Sequence, residues 1–253
     1  MYVDPHLPRH IFGWKSPRLG LEMPIVRYGE QGHPLLIFPT AAADFLENER
    51  FYLIKSIERF IFEGRVQVFS IDSINKYSWM SDDVSVPECA RRHAAYAAYV
   101  EKEVVPYIRT AMRNPHARIG VTGASFGAFH AANQYFRRPD LFDTLIAMSG
   151  FYNLHPGYTS GYSDDNIYFN NPVSYLSNMQ DPETLFLLRE RCQTHIVTGQ
   201  GAYEAPHKSV ELAHVLGTKG IPHNLDLWGH DVNHDWPWWR KMLPHYIGER
   251  LGW

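Results

Sequence analysis

A serine hydroxyl is a poor nucleophile at neutral pH, and the segment Gly123-Ala124-Ser125-Phe126-Gly127 stands where that weakness can be overcome. It follows an apolar run, Arg118–Thr122, that reads as a strand, and it precedes an Ala- and Phe-rich stretch that reads as a helix. A serine on so sharp a strand-to-helix turn takes a strained backbone conformation, and flanking glycines permit the close approach of strand and helix. The hydroxyl is then raised above the sheet. The N–H at the start of the helix, that of Phe126, points at any oxyanion forming beside it. The expected chemistry is attack of Ser125 on an acyl carbon.

Such an attack needs a base within hydrogen-bond reach and a carboxylate to orient that base. With serine, acid and histidine in that chain order, the base falls after the last predicted strand, in Trp228-Gly229-His230-Asp231-Val232-Asn233-His234-Asp235-Trp236. His234 is the choice, because it directly precedes a helix that Trp236 and Trp239 would anchor; His230 is the substitute. The acid belongs in the loop after the strand ending at Thr198, where the single carboxylate is Glu204. Asp226, inside a predicted strand, and Asp231 and Asp235, close to the base, remain competitors. A second oxyanion donor is expected where the buried strand Leu35–Phe38 runs into the small residues after Pro39, from the amide of Thr40 or Ala41. His230 and His234 have a spacing that suits two metal ligands on a helix, but Gly229 and Asn233 favour a loop and no third ligand completes the set. No metal and no organic cofactor is expected.

These residues must be held by a frame, and short β-branched runs alternating with longer helical patterns signal βαβ units and a largely parallel sheet. The runs are Leu35–Phe38, Val66–Ile71, Arg118–Thr122, Thr144–Ser149, His195–Thr198 and Leu225–Trp228, with an edge strand at Pro24–Tyr28. Cys89–Met112 carries apolar residues at helical spacing, with a kink expected at Pro106. Further helices are expected at Asn48–Ile61, Ala128–Arg137, Pro206–Lys219 and Pro237–Arg250. The stretch 151–184 is crowded with Tyr, Asn, Gly and Pro and shows no clear period, which suits a small cap or lid. Tyr152, Tyr158, Tyr162 and Tyr168 from it are expected to line the entrance, where rings bearing a hydroxyl suit sugar or small aromatic esters.

The 253 residues carry a net charge of −3, and 45% are hydrophobic, enough for a large core in one domain spanning 1–253. Near neutrality argues against a binder of nucleic-acid phosphates. No stretch approaches a membrane span, and the first twenty residues lack the apolar centre of a secretion signal, so a cytoplasmic protein acting on small molecules is expected. Cys89 and Cys192 lack metal-binding or redox spacing and read as ordinary thiols. Nothing in the composition fixes the oligomeric state.

Phe38-Pro39-Thr40, Asp72-Ser73 with Ser78-Trp79, the Gly123–Gly127 turn, and His234-Asp235-Trp236-x-x-Trp239 followed by Lys241-Met242-Leu243-Pro244 together resemble the putative-esterase (esterase D-like) family of the α/β-hydrolase superfamily. That group includes feruloyl and acetyl-xylan esterases and the mycolyltransferases. The resemblance, over roughly residues 25 to 250, implies an α/β-hydrolase fold, a mostly parallel central sheet with helices on both faces and a small irregular cap. It also implies Ser125 as nucleophile and His234 as base. Family members often carry an aspartate just after a Gly-Thr-Glu in the acid loop; Ala202 falls near that place, which shifts the acid to Glu204. The resulting expectation is a serine carboxylester hydrolase acting through an acyl-enzyme on small acyl, aryl or sugar esters. An acyltransferase on the same triad, and a binding protein whose acid loop has decayed, are the alternatives.

Overall fold

Large apolar and β-branched residues buried on both faces form the middle of one eight-stranded sheet. The computed structural model describes residues 2–253, except the side chain of Arg250; Met1, part of the expected domain span, lies outside them. The strands are β1 (Arg9–Lys15), β2 (Glu22–Tyr28), β3 (His33–Phe38), β4 (Val66–Ile71), β5 (Ile119–Ala124), β6 (Phe142–Met148), β7 (Gln193–Thr198) and β8 (Asn224–Leu227). Their order is β1-β2-β4-β3-β5-β6-β7-β8; β1 and β2 run antiparallel to their neighbours, and the other six are parallel.

Alternation along the central strands divides the core between two faces. Leu36 and Phe38 of β3 face α3 (Val86–Tyr99), α5 (Phe126–Arg137) and α9 (Pro206–Thr218), whereas Leu35 and Ile37 face α2 (Leu53–Phe62) and α10 (Trp236–His245). The chain leaves β3 toward β4 on one side and leaves β5 toward β6 on the other. The strand order therefore reverses between β3 and β5, and in open α/β sheets the crevice beyond the strand C-termini at such a reversal is where ligands bind. The loop carrying Thr40 and Ala41 and the turn carrying Ser125 both lie there.

The structure corrects several expected elements. An extra strand, β1, makes Pro24–Tyr28 the second strand rather than the edge; β1 is exposed along most of its length, so it lacks the alternation that reveals a half-buried strand. The helix expected over 48–61 is split into α1 (Glu47–Arg50) and α2 by Tyr52, whose φ is 62°. Past α3 the helix widens into a π-turn at Val100–Val104 before α4 (Val105–Ala111), with Pro106 in the first turn of α4. A proline removes one helical hydrogen bond and its ring crowds the preceding turn, which the wider turn relieves.

The second half of the expected cap is largely helical: α6 (Asp165–Tyr168), α7 (Pro172–Asn178) and the start of α8 (Pro182–Glu190). Asp164 and Asp181 cap α6 and α8 through their side chains, and proline opens α7 and α8, which are start signals that the Tyr- and Asn-rich composition masks. No helix among the described residues is long and apolar enough to cross a membrane.

Candidate active site

Ser125 joins β5 to α5 with φ 56° and ψ −121°, a conformation that L-residues rarely adopt. The two glycines explain how the chain fits there. A Cβ on Gly123 would lie 2.4 Å from the Gly127 carbonyl carbon, and one on Gly127 would lie 2.6 Å from the Phe38 carbonyl oxygen. Only hydrogen at both positions lets β5, α5 and the end of β3 converge. The Ser125 amide donates to the Met148 carbonyl at 2.9 Å, tying the turn to β6. The side chain is left half-buried in the wall of a cavity of about 270 Å³.

His234 lines the same cavity. Its Nδ1 lies 3.5 Å from Oε2 of Glu204, at the outer edge of hydrogen bonding, and its ring stands edge-on to Trp239 with centroids 5.1 Å apart. The acid and histidine loops are laced together. His234 donates its amide to the Ala202 carbonyl at 3.0 Å, Ala202 donates to Oδ1 of Asn233 at 2.8 Å, and Gly201 donates to the Val232 carbonyl at 2.9 Å. The Glu204 side chain is only 1% exposed, against 24% for His234. Burial by itself raises the Glu204 pKa, but bonds from His234, Ser149 and Thr198 outweigh it and hold the carboxyl below the usual glutamate range. Among the described residues no hydrogen bond joins Ser125 to His234, whose side-chain partner is Glu204, and in ligand-free sites such contacts commonly tighten only when substrate is seated.

Ser149 was not signalled by the sequence. At the end of β6, with φ 50°, it donates to Oε1 of Glu204 at 2.6 Å and accepts from the Trp239 indole at 3.0 Å. Thr198 donates to Oε2 at 3.0 Å. These contacts fix both oxygens of the carboxylate. The competitors are engaged elsewhere: Asp226 accepts from Tyr246, exposed Asp235 caps α10, and His230 and Asp231 are exposed and do not line the cavity.

Of the two amides expected from the loop after β3, the structure corrects Thr40. Its N–H donates to Glu47 at 2.7 Å and its hydroxyl to the same carboxylate at 2.8 Å, so that amide is not free for an oxyanion. Glu47 is buried, which raises its pKa, and the Thr40 bonds offset this only in part. Ala41, with φ 26°, lines the cavity, and among the described residues its N–H has no acceptor. Phe126 also lines the cavity, and as the first residue of α5 it has no intrahelical acceptor for its N–H.

Only one of the four expected tyrosines reaches the cavity. Tyr158 lines it, stacked on Phe151 with centroids 5.3 Å apart. Tyr152 is buried beneath Gly150, exposed Tyr162 bonds Asp164, and Tyr168 lines a separate groove with Arg137. In a segment without a period, side-chain direction cannot be read from spacing. Tyr203, 93% exposed, Met80 and Lys208 complete the rim, and the Lys208 ammonium lies 5.7 Å from the Phe151 ring centroid. Among the described residues no cluster of His, Cys, Asp and Glu is arranged to hold a metal ion.

A parallel sheet reversing direction beside a serine raised on a strand-to-helix turn is the architecture of the α/β-hydrolases, and solved structures match it over nearly the whole chain. A ferulic acid esterase superposes with a TM-score of 0.74 at 17% identity, covering 95% of this chain and 96% of its own. An S-formylglutathione hydrolase from Staphylococcus aureus superposes at 0.67 and 15% identity, covering 96% and 98%. A ferulic acid esterase from Anaeromyces mucronatus does so at 0.71 and 12% identity, covering 96% and 90%. No curated protein sequence matches the chain. The model of the putative esterase family matches residues 72–248, and the chain belongs to that family, a carboxylic ester hydrolase of the α/β-hydrolase class.

Proposed function

We propose that the protein hydrolyses small acyl, aryl or sugar esters through an acyl-enzyme on Ser125. The observation that carries this reading is the alignment of a buried carboxylate, Glu204, behind His234 on the wall that also holds Ser125. With Nδ1 turned to Glu204, Nε2 of His234 is left to take the Ser125 proton as Oγ bonds to the ester carbonyl carbon. The amides of Phe126 and Ala41 receive the oxyanion. Collapse breaks the bond to the alcohol oxygen, which leaves with the proton from His234. Water then attacks the acyl-enzyme, giving its proton to His234, and the second collapse returns that proton to Ser125 and releases the acid. Glu204 stabilises the imidazolium in both halves. The aromatic walls, Phe126, Phe151 and Tyr158, and the modest cavity favour compact substrates with a flat face. Glu204 occupies the acid position although Ala202 stands near the family's usual aspartate, which favours a working triad over a decayed one.

A panel of p-nitrophenyl esters of increasing acyl length, run with and without an added alcohol, tests the reading. Release of free acid at the same rate in both, with short acyl chains preferred, supports it. An acyl chain delivered mainly to the added alcohol would make the protein a transferase.

Glu204→Gln is expected to lower kcat by about 10³-fold, less than loss of the nucleophile, because members of such a unit contribute unequally. Asp235→Asn should stay within about 3-fold, since a helix cap affects stability by only about 1 kcal/mol. The reverse order in steady-state assays would move the acid to Asp235.

Linkage gives a second signature. The native pKa of Glu204 is depressed, so its charge stabilises the fold above the ordinary glutamate range, and that contribution is lost as pH falls through the depressed value. The Tm deficit of Glu204→Gln should therefore be full at neutral pH and close in acid. A deficit constant with pH would show that the charge contributes nothing.

A further inference from the structure

The two amides assigned to the oxyanion sit on separate elements, one at the start of α5 and one in the loop after β3, and nothing in either element alone sets the gap between them. Asn75 spans it from behind. Fully buried in a short turn after β4, it donates Nδ2–H to the Ala41 carbonyl at 2.6 Å. Its Oδ1 lies 3.0 Å from Nε2 of His130, on the face of α5 one turn beyond Phe126, and the His130 and Phe126 ring centroids are 5.1 Å apart. Ser73 adds to the brace, donating to the Ala41 carbonyl at 3.4 Å and accepting from the Asn75 amide at 3.0 Å. The Asn75 carbonyl in turn accepts from the amides of Ser78, at 3.0 Å, and Met80, at 2.9 Å, and Met80 forms part of the cavity rim.

We infer that Asn75 is a positioning residue, which fixes the separation of the Phe126 and Ala41 amides by linking His130 of α5 to the Ala41 carbonyl. The inference rests on the hydrolytic reading above. Ala41, with φ 26°, is held on both sides: Glu47 clamps the Thr40 amide before it and Asn75 with Ser73 clamps the carbonyl after it. A strained alanine persists only where its surroundings over-determine it. An asparagine suits the task because one planar amide offers a donor to Ala41 and an acceptor to His130 without a charge. His130 is buried and stacks on His93 at 5.2 Å; burial keeps both imidazoles neutral, so Nε2–H of His130 can donate to Asn75 with no ion in the core.

The test is Asn75→Ala, with Ser73→Ala as a milder second variant, both assayed on p-nitrophenyl acetate with kcat expressed per fluorophosphonate-titrated site, so that misfolded protein is not counted. Removing an oxyanion donor outright lowers kcat by about 10²- to 10³-fold, so loosening one should lower it by about 10-fold in Asn75→Ala and about 3-fold in Ser73→Ala, with KM within about 2-fold. The inhibition constant of a boronic acid, whose adduct is tetrahedral, should rise in step with the loss of kcat, whereas that of a planar carboxylate product should not move. Unchanged kcat in both variants, or parallel weakening of boronic acid and carboxylate, would overturn the positioning role while leaving ester hydrolysis intact. Absence of a titratable serine in the parent protein would instead remove the hydrolytic reading and this one with it.

Discussion

Ser125→Ala is expected to leave the fold intact and to lower ester turnover on the order of 10⁵-fold, because nucleophile, base and acid act as one unit and the binding groups left behind supply only residual acceleration. The expectation follows from geometry. The Ser125 side chain is the hydroxyl that the strained turn raises into the cavity wall shared with His234 and the free amides of Ala41 and Phe126. Steady-state hydrolysis of p-nitrophenyl acetate, with circular dichroism on the same samples, checks both halves of the claim. Ser149→Ala, by contrast, removes a donor to Glu204 rather than a reacting group, and its effect should be far smaller.

Gly127→Ala should have the second largest effect, and on folding before catalysis. The new methyl would meet the Phe38 and Pro39 carbonyl oxygens at 2.6 and 2.7 Å, both backbone atoms in the strand end that leads to Ala41. Neither can rotate away, so α5 and β3 must separate. Overpacking of this kind destabilises by about 3 kcal/mol, which for a chain of this length lowers Tm by roughly 10 °C. Any folded fraction should also lose activity, because the separation displaces Ala41 from Phe126. Thermal unfolding followed by far-UV circular dichroism measures the shift; a Tm within about 2 °C of the parent would show that the convergence at Gly127 is looser than the contacts imply.

The placement of the proposed triad on the fold was legible in the residues. The strand before Ser125 and the helix after it mark the turn that carries it, and Glu204 and His234 follow the last two strands, where their side chains meet. Side chains that act across the fold were not. Ser149 ends a strand like any other serine, and its role appears only when β6, β7 and α10 bring Glu204 and Trp239 to its hydroxyl. Thr40 and Ala41 look equally fit as donors until Glu47, seven residues on, is seen to take the first. Three of the four expected tyrosines failed for a related reason: without a period nothing in the sequence says which way a ring points, and Tyr152 turned into the core. The missed strand β1 is exposed on both faces, so burial left no mark on its pattern.

The most direct measurement is peptide mass spectrometry after reaction with a fluorophosphonate, which phosphonylates a serine only where a base and an oxyanion site activate it. The expected result is one adduct per chain, on the peptide containing Ser125, formed much more slowly in His234→Ala. An adduct on another serine, or labelling of Ser125 at an undiminished rate without His234, would contradict it.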